Sequence, residues 1–352
     1  MHQGRNMNAC PWYGDAAVRQ TTLLRLAAQG SFREIRMGRI KLVRDGLNAN
    51  RNAADISREV SLFNEDLAKV VLALHAREHA WLEACTWLEF GSGGRQEQVL
   101  SSDQDNGLIY PVAPDTHELD NVAQDLVMTL DGAGMSLCPG GIMVTSPLWR
   151  GTRDAWIARL RAWLANPVEK GPWQYGLFLD FRPLAGPKEP ALSLKHELWE
   201  YVRTRPLVLR FLAEELAGYR IPLTIWGHFV LIPKGPFQGG LDIKHSGMVR
   251  LATAVRILAL KYGLTMHHTL DRIHALEDRG HISARLGKRL TRFWSWSQGQ
   301  RLRIGLREQC AGKSAHNVIY PYQLDREEIL LLKDGLYAVE TCARMVLDGA
   351  GL

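Results

Sequence analysis

A glycine-rich stretch, Gly91-Ser92-Gly93-Gly94-Arg95, is followed shortly by Asp103-Gln104-Asp105, and that order sets a phosphate grip just ahead of two carboxylates. Glycines lack a Cβ, so their backbone reaches positive φ and their N–H groups can approach an anion closely. Ser92 adds a hydroxyl donor, and Arg95 adds a guanidinium suited to charge-assisted bonds. A short helix from Gly93 to Leu100 would turn its positive end to the same anion. On a strand, Asp103 and Asp105 project to one face. Like charges this close repel unless a cation or a proton lies between them, and all-oxygen donors beside phosphate favour a hard ion, Mg²⁺ or Mn²⁺, over zinc. The chemistry implied is metal-assisted transfer of a phosphorus group. The plain alternative is a polar hairpin turn from Ser101 to Gly107, a composition that turns favour.

A third acid, Asp180, lies in the apolar run Tyr175 to Pro183, which has the look of a strand. Carried there, it would complete the carboxylate set that two-metal phosphoryl chemistry uses. Its alternative is a surface ion pair with Arg182 on an edge strand ended by Pro183. The elements that must position these residues can be read from periodicity. Cys85 to Phe90 is β-branched and aromatic, hence a strand feeding the glycines. Ile56, Val60, Phe63, Leu67, Val70, Val71 and Leu74 recur at helical spacing, so Ala53 to Leu82 is one long amphipathic helix ahead of that strand. Leu119 to Leu130 and Asp154 to Leu164 are helical, the latter stopped by Asn166-Pro167. Beyond residue 186 the pattern is helical almost throughout, clearest over Leu192 to Gly218 and Met248 to Tyr262, with Asp271 to Glu277, Ala284 to Ser297 and Arg326 to Val346 behind them. Glu89 falls in a strand expected to be central, where an acid needs a basic partner; Arg95 is near at hand.

At these residues the chain resembles the bacterial nucleotidyltransferases related to PII-protein uridylyltransferase, in the DNA polymerase β-like superfamily. The family's Gly-Ser-x-Gly-Arg-x-Glu-Gln stretch is similar to Gly91 through Gln98, its Asp-Gln-Asp-Asn stretch to Asp103 through Asn106, and its Asp-x-Arg-Pro element to Asp180 through Pro183. Leu241-Asp242-Ile243-Lys244-His245-Ser246-Gly247 resembles the start of the family's C-terminal substrate-binding helical domain. The resemblance runs from about Asn52 to about Asp348. Many relatives carry CBS and cyclic-nucleotide-binding modules ahead of this core, for which residues 1–52 leave no room. What the resemblance implies is transfer of an NMP from an NTP to an acceptor hydroxyl with release of pyrophosphate. Asp103, Asp105 and Asp180 would be catalytic and hold Mg²⁺ or Mn²⁺, and Gly91, Ser92, Gly93 and Arg95 would bind the nucleotide. Lys244 would either reach the outer phosphates or pair with Asp242. The acceptor is a protein side chain, a nucleic acid or a small molecule. Two rival functions stay open: a catalytically silent nucleotide-binding regulatory module, and an RNA-end-modifying nucleotidyltransferase.

The fold expected is an α/β (α+β) domain with a small mixed sheet over residues 53–186, an α-helical domain over 187–352, and a loosely packed N-terminal extension over 1–52 with one helix, Ala16 to Gln29. The active site is expected where the two domains meet. The 352 residues suffice for a large core. No run spans a membrane, no signal peptide is visible, and the five cysteines are scattered without a C-x-x-C pair, which together predict a soluble protein of a reducing cytoplasm. The adjacent His267 and His268 diverge on either a helix or a strand and cannot readily chelate one ion. Net charge is +6, and the excess gathers at Arg33, Arg36, Arg39, Lys41 and Arg44 and between Arg279 and Arg307. In the second stretch Phe293, Trp294 and Trp296 interleave with the bases, a mixture that suits single-stranded nucleic acid. The favoured alternative there is an amphipathic helix with its aromatics in the core.

Overall fold

The longest stretch of helical spacing in the N-terminal half forms α3, Ala53–Ala76, opened by Asn52, whose side chain accepts from the Ala54 amide at 2.9 Å. Its apolar stripe, Ile56, Val60, Phe63, Leu67 and Val71, is completely buried. The computed structural model describes residues 11–165, 173–205 and 207–352, so Cys10 and the predicted helix stop at Asn166-Pro167 lie outside the described residues. The chain divides into two units. The first is Met1–Leu160, Phe181–Glu197 and Gly305–Ala315; the second is Arg161–Asp180, Leu198–Ile304 and His316–Leu352.

In the first unit the N-terminal segment is not a loose extension. It forms α1, Ala16–Ala28, and α2, Phe32–Asn48, which bury Leu23, Leu26, Ile35, Leu42 and Val43 and pack on α3. Buried Arg19 of α1 bonds Asp66 of α3 at 2.6 Å, and Gln20 takes that aspartate's other oxygen at 2.7 Å. Most bases of this segment are spent internally. Arg39 is buried and donates to the Val99 carbonyl at 3.1 Å and to that of Gly134 at 2.6 Å, while Lys41 pairs with Asp45.

After α3 comes a four-stranded mixed sheet in the order β3-β2-β1-β4, where β1 is Thr86–Glu89, β2 Asn106–Ile109, β3 Arg150–Gly151 and β4 Arg182–Ala185. β1 is antiparallel to β2 and β4, and β3 runs parallel to β2. Pro183 is tolerated because β4 is an edge strand, with pairing needed on one side only. Phe90, Trp149, Trp156 and Phe181 cluster beside the sheet, and the Trp156 indole donates to the Leu108 carbonyl at 3.1 Å. The small mixed sheet with helices around it is the α/β arrangement expected.

The second unit is helical. Its clearest elements are Leu207–Gly218, Val249–Lys261, Thr269–Asp278, most of Ala284–Cys310, and Arg326–Ala350, with a two-stranded ribbon of Leu241–Asp242 and Val318–Ile319. The expected single helix from Leu192 to Gly218 is two, Glu189–Thr204 and Leu207–Gly218; the residue before a proline disfavours helical backbone, and Arg205 precedes Pro206. In Ala284–Cys310, Phe293 is fully buried and packs against Gly247 and Gly335, and Trp294 is also buried. Arg285, Lys288, Arg292 and Arg303 are exposed. The basic, aromatic stretch is thus an amphipathic helix with Phe293 and Trp294 in the core and Trp296 half-buried. Among the described residues no helix is long and apolar enough to cross a membrane, and Cys85, Cys138, Cys310 and Cys342 are free thiols.

Candidate active site

β1 ends at Glu89, and the chain turns through Phe90 into a single helical turn, Gly91–Gly94. Gly91 has φ +54°, open to glycine without strain. Gln96 has φ +56°, a left-handed conformation uncommon for a residue with a side chain, and residues held this way gather where backbone geometry matters to function. The turn is closed by the amide of Gln96 donating to the Gly93 carbonyl at 3.0 Å and that of Glu97 donating to the Ser92 carbonyl at 2.8 Å. Ser92 is half-buried. The expected helix from Gly93 to Leu100 is therefore shorter and begins earlier. Arg95 is tied to buried Glu97, its Nε bonded to that carboxylate at 2.7 Å.

The segment after the turn alternates. Gln104 and Asn106 are buried, whereas Asp103 and Asp105, which alternate with them, are half-buried. Buried amides need partners, and both have them. The Gln104 side chain donates to the carbonyls of Val127 at 3.0 Å and Met135 at 2.7 Å. The Asn106 side chain accepts from the Val144 amide at 2.9 Å and donates to the Gln104 side-chain oxygen at 3.3 Å. With both amides locked inward, the pleat turns Asp103 and Asp105 to the opposite face. This is extended backbone rather than a hairpin turn. Asp103 bridges to Ser136, the Gln104 amide donates to the Ser136 carbonyl at 2.8 Å, and the Phe90 amide donates to the Asp105 carbonyl at 2.9 Å. That last bond ties the carboxylate pair to the residue that opens the glycine turn. The Cys138 thiol lies beside Asp105, and burial, with the carboxylate's charge adding to it, pushes the thiol up to about 12.

These residues fit a hard cation. Among the described residues no group of three or more His, Cys, Asp or Glu gathers as a metal cage. Mg²⁺ commonly makes do with one or two carboxylates, completing its shell with phosphate oxygens and water, which is what Asp103 and Asp105 offer.

Asp180 departs from expectation twice. It follows a helix, Trp173–Leu179, and precedes β4, so it is not embedded in a strand. Its carboxylate, completely buried in the second unit, is held by Arg256 at 2.9 Å and Arg272 at 2.8 Å, with Arg256 Nε donating at 3.0 Å. A carboxylate neutralised by two guanidiniums has little charge left for a metal ion. Nor does it pair with Arg182, which belongs to a separate network in the first unit.

In that network the Arg182 guanidinium meets Glu65 of α3 at 2.8 Å and Glu89 of β1 at 3.0 Å. Glu89 therefore finds its base in Arg182 rather than Arg95. Two buried carboxylates sharing one cation cannot both ionise easily. Burial, against the pull of Arg182 and with help from Glu65 and Asp105, pushes Glu89 up from 4.5 to about 7. At Glu65 burial acts the same way, but Arg182 and Lys69 outweigh it and hold the carboxyl below its usual range. Because the folded state binds the Glu89 proton more tightly than the unfolded chain, its contribution to stability is complete below about 4.5 and is lost as pH rises through about 7. Urea unfolding at intervals from pH 5 to 8 is expected to show this declining limb, by up to ~3 kcal/mol, and Glu89→Gln to flatten it. An unchanged slope in Glu89→Gln would assign the proton elsewhere.

In the second unit, Lys244 opens a π-helical turn, Lys244–Met248, a rare geometry that recurs at functional sites. Asp242 is claimed by His245, whose amide and Nδ1 each lie 3.0 Å from its oxygens. Burial works to raise the Asp242 carboxyl, but the His245 bonds and the charges of His245 and Lys244 prevail and lower it. Lys244 itself makes no ion pair with Asp242 among the described residues, which removes the simplest structural explanation for that lysine.

Sequence reasoning missed Arg182, Glu65 and the amide lock at Gln104 and Asn106. For the lock a signal existed, since amides alternating with acids ahead of an apolar strand imply that one set faces inward.

Comparison with known families agrees with this geometry. Residues 39–170 match the family described as "Putative nucleotidyltransferase DUF294", and residues 206–348 match the one described as "Putative nucleotidyltransferase substrate binding domain". A search of the curated proteins found no match to the chain. The first match holds the glycine turn and the aspartate pair, the second holds Lys244, and the two cover most of the sequence: the chain belongs to the nucleotidyltransferase family DUF294, with that family's substrate-binding domain as its helical part.

Proposed function

We propose that the protein transfers an NMP from an NTP to an acceptor hydroxyl in a reaction dependent on Mg²⁺ or Mn²⁺. The observation that carries this is the inward lock of Gln104 and Asn106, which leaves Asp103 and Asp105 on one face of a segment bonded to the start of the glycine turn. Asp103 and Asp105 would hold the cation, which when bound would neutralise triphosphate charge and so ease departure of pyrophosphate. Ser92 and the amides of Gly91 and Gly93 bind the phosphates, and Arg95, fixed by Glu97, stiffens the turn they lie on. The acceptor oxygen bonds to the α-phosphorus as the bond to pyrophosphate breaks, and the hydroxyl proton passes to solvent water. Asp180 serves as an anchor for Arg256 and Arg272; acting as a third ligand would require it to give up those partners. In the helical unit Lys244 is assigned to a phosphate contact, as a flexible point charge.

For the acceptor, kinship with the uridylyltransferases favours a protein side chain. An RNA end is disfavoured because two of the three rings that would stack on bases, Phe293 and Trp294, are buried, and half-buried Trp296 donates its indole N–H to Glu328 at 3.2 Å. Free thiols at Cys85, Cys138, Cys310 and Cys342 suit a cytoplasmic setting.

Incubation of the purified protein with each labelled NTP, Mg²⁺ and a cell lysate is expected to label one acceptor class from one NTP, and excess chelator to abolish it. Transfer that persists in chelator would overturn the metal assignment. In calorimetric titrations Lys244→Ala is expected to weaken NTP binding by about tenfold and NMP binding little, since an outer-phosphate contact contributes roughly 1–2 kcal/mol. Equal losses for both ligands would remove Lys244 from the site.

A further inference from the structure

Arg182 lies outside both segments matched to the family, and on the sequence it looked like half of a surface pair. Its side chain is instead only 12% exposed, where α3, the segment from β1 into the glycine turn, and its own strand β4 meet, three stretches distant in sequence. The guanidinium meets Glu65 on α3 and Glu89 on β1, and its Nε donates to the carbonyl of Gly93 at 3.3 Å. That carbonyl also accepts the Gln96 amide, so both of its lone pairs are engaged, one within the turn and one by an arginine on the edge strand. The fit is close: a Cβ on Gly93 would stand 2.8 Å from the Glu89 carboxyl carbon and about as near to both its oxygens. The glycine turn therefore rests directly on the Glu89–Arg182 pair.

We infer that Arg182 is a positioning residue for the phosphate grip: by clamping the Gly93 carbonyl to Glu89 and Glu65, it sets the plane of the peptide groups that face the triphosphate. The clamp takes a planar, multidentate donor. One nitrogen reaches two carboxylates while another reaches the carbonyl, a division that a lysine ammonium on a flexible stem does not reproduce. Through β1 the same clamp reaches the carboxylate pair, because Phe90, next after Glu89, donates its amide to the Asp105 carbonyl. The glycine turn and the aspartates are thus referenced to one buried guanidinium.

The consequence for turnover rests on the nucleotidyl-transfer reading, while the consequence for the turn does not, so the test has two arms. In the first, amide hydrogen exchange is followed in the full chain for wild type, Arg182→Lys, and the double variant Arg182→Ala with Glu89→Gln. The double variant avoids leaving Glu89 buried and ionised should the arginine alone be indispensable to folding. Exchange of the Gln96 and Glu97 amides is expected to rise at least about tenfold in both variants, with α3 changed by less than about threefold. Unchanged exchange at Gln96 and Glu97, or an equal rise throughout the first unit, would overturn the inference, the latter by showing a general structural role. In the second arm, Arg182→Lys is expected to raise KM for the NTP about tenfold while kcat falls less, with the double variant no better. Unaltered KM in a protein whose turn exchange has risen would separate the clamp from the phosphate grip and overturn the positioning role. Should wild type transfer no NMP at all, the function assigned above fails, and the exchange arm still decides whether Arg182 holds the turn.

Discussion

Asp103→Asn and Asp105→Asn are each expected to lower NMP transfer by about three orders of magnitude or more, equivalent to at least ~4 kcal/mol in the barrier, while leaving the fold intact. The two aspartates are half-buried and alternate with residues whose side chains are pinned inward. An amide in place of either keeps the volume and removes the charge that holds the cation against the triphosphate. Stability should stay level or rise slightly, because mutual repulsion of the pair is relieved. Pyrophosphate release and thermal unfolding, measured side by side, check both halves. Wild-type turnover by either variant would sink the metal assignment. A collapse of stability would mean that the pair is structural.

Asp180→Asn is expected to behave in the opposite way. The carboxylate is completely buried between Arg256 and Arg272, so neutralising it strands two guanidiniums in the interior of the helical unit. Breaking a buried pair from one side costs about 3–5 kcal/mol. In a unit of this size that corresponds to a fall in unfolding temperature of roughly 10 °C. Scanning calorimetry of the variant beside Asp103→Asn makes the comparison direct. A stable Asp180→Asn without turnover would restore Asp180 as a third catalytic carboxylate, whereas an unstable one with residual turnover fits the anchor described above.

Helix existence was well marked along this chain and helix ends less so. Ala53–Ala76, Thr116–Gly132, Val249–Lys261 and Arg326–Ala350 appear where apolar spacing placed them, give or take a few residues. Phe32–Asn48 was missed because Arg33, Arg36, Arg39, Lys41 and Arg44 dilute its apolar stripe, although Arg39 itself is buried on carbonyl oxygens. The run Tyr175 to Pro183 reads as a strand although most of it belongs to the helix Trp173–Leu179, because a short apolar run carries no period with which to tell helix from strand.

Local pattern alone determined the family resemblance, the strand before the glycine turn, and the alternation of half-buried Asp103 and Asp105 with Gln104 and Asn106, since each depends on neighbours a few residues apart. Partner choice among charges was decided only by tertiary structure. Glu89 took Arg182 over nearby Arg95, Asp180 took Arg256 and Arg272 over Arg182, and Asp242 took His245 over Lys244. The physical reason is that a buried charge must be met by whichever opposite charge the packed elements deliver to it, and separation along the chain does not reveal which one that is.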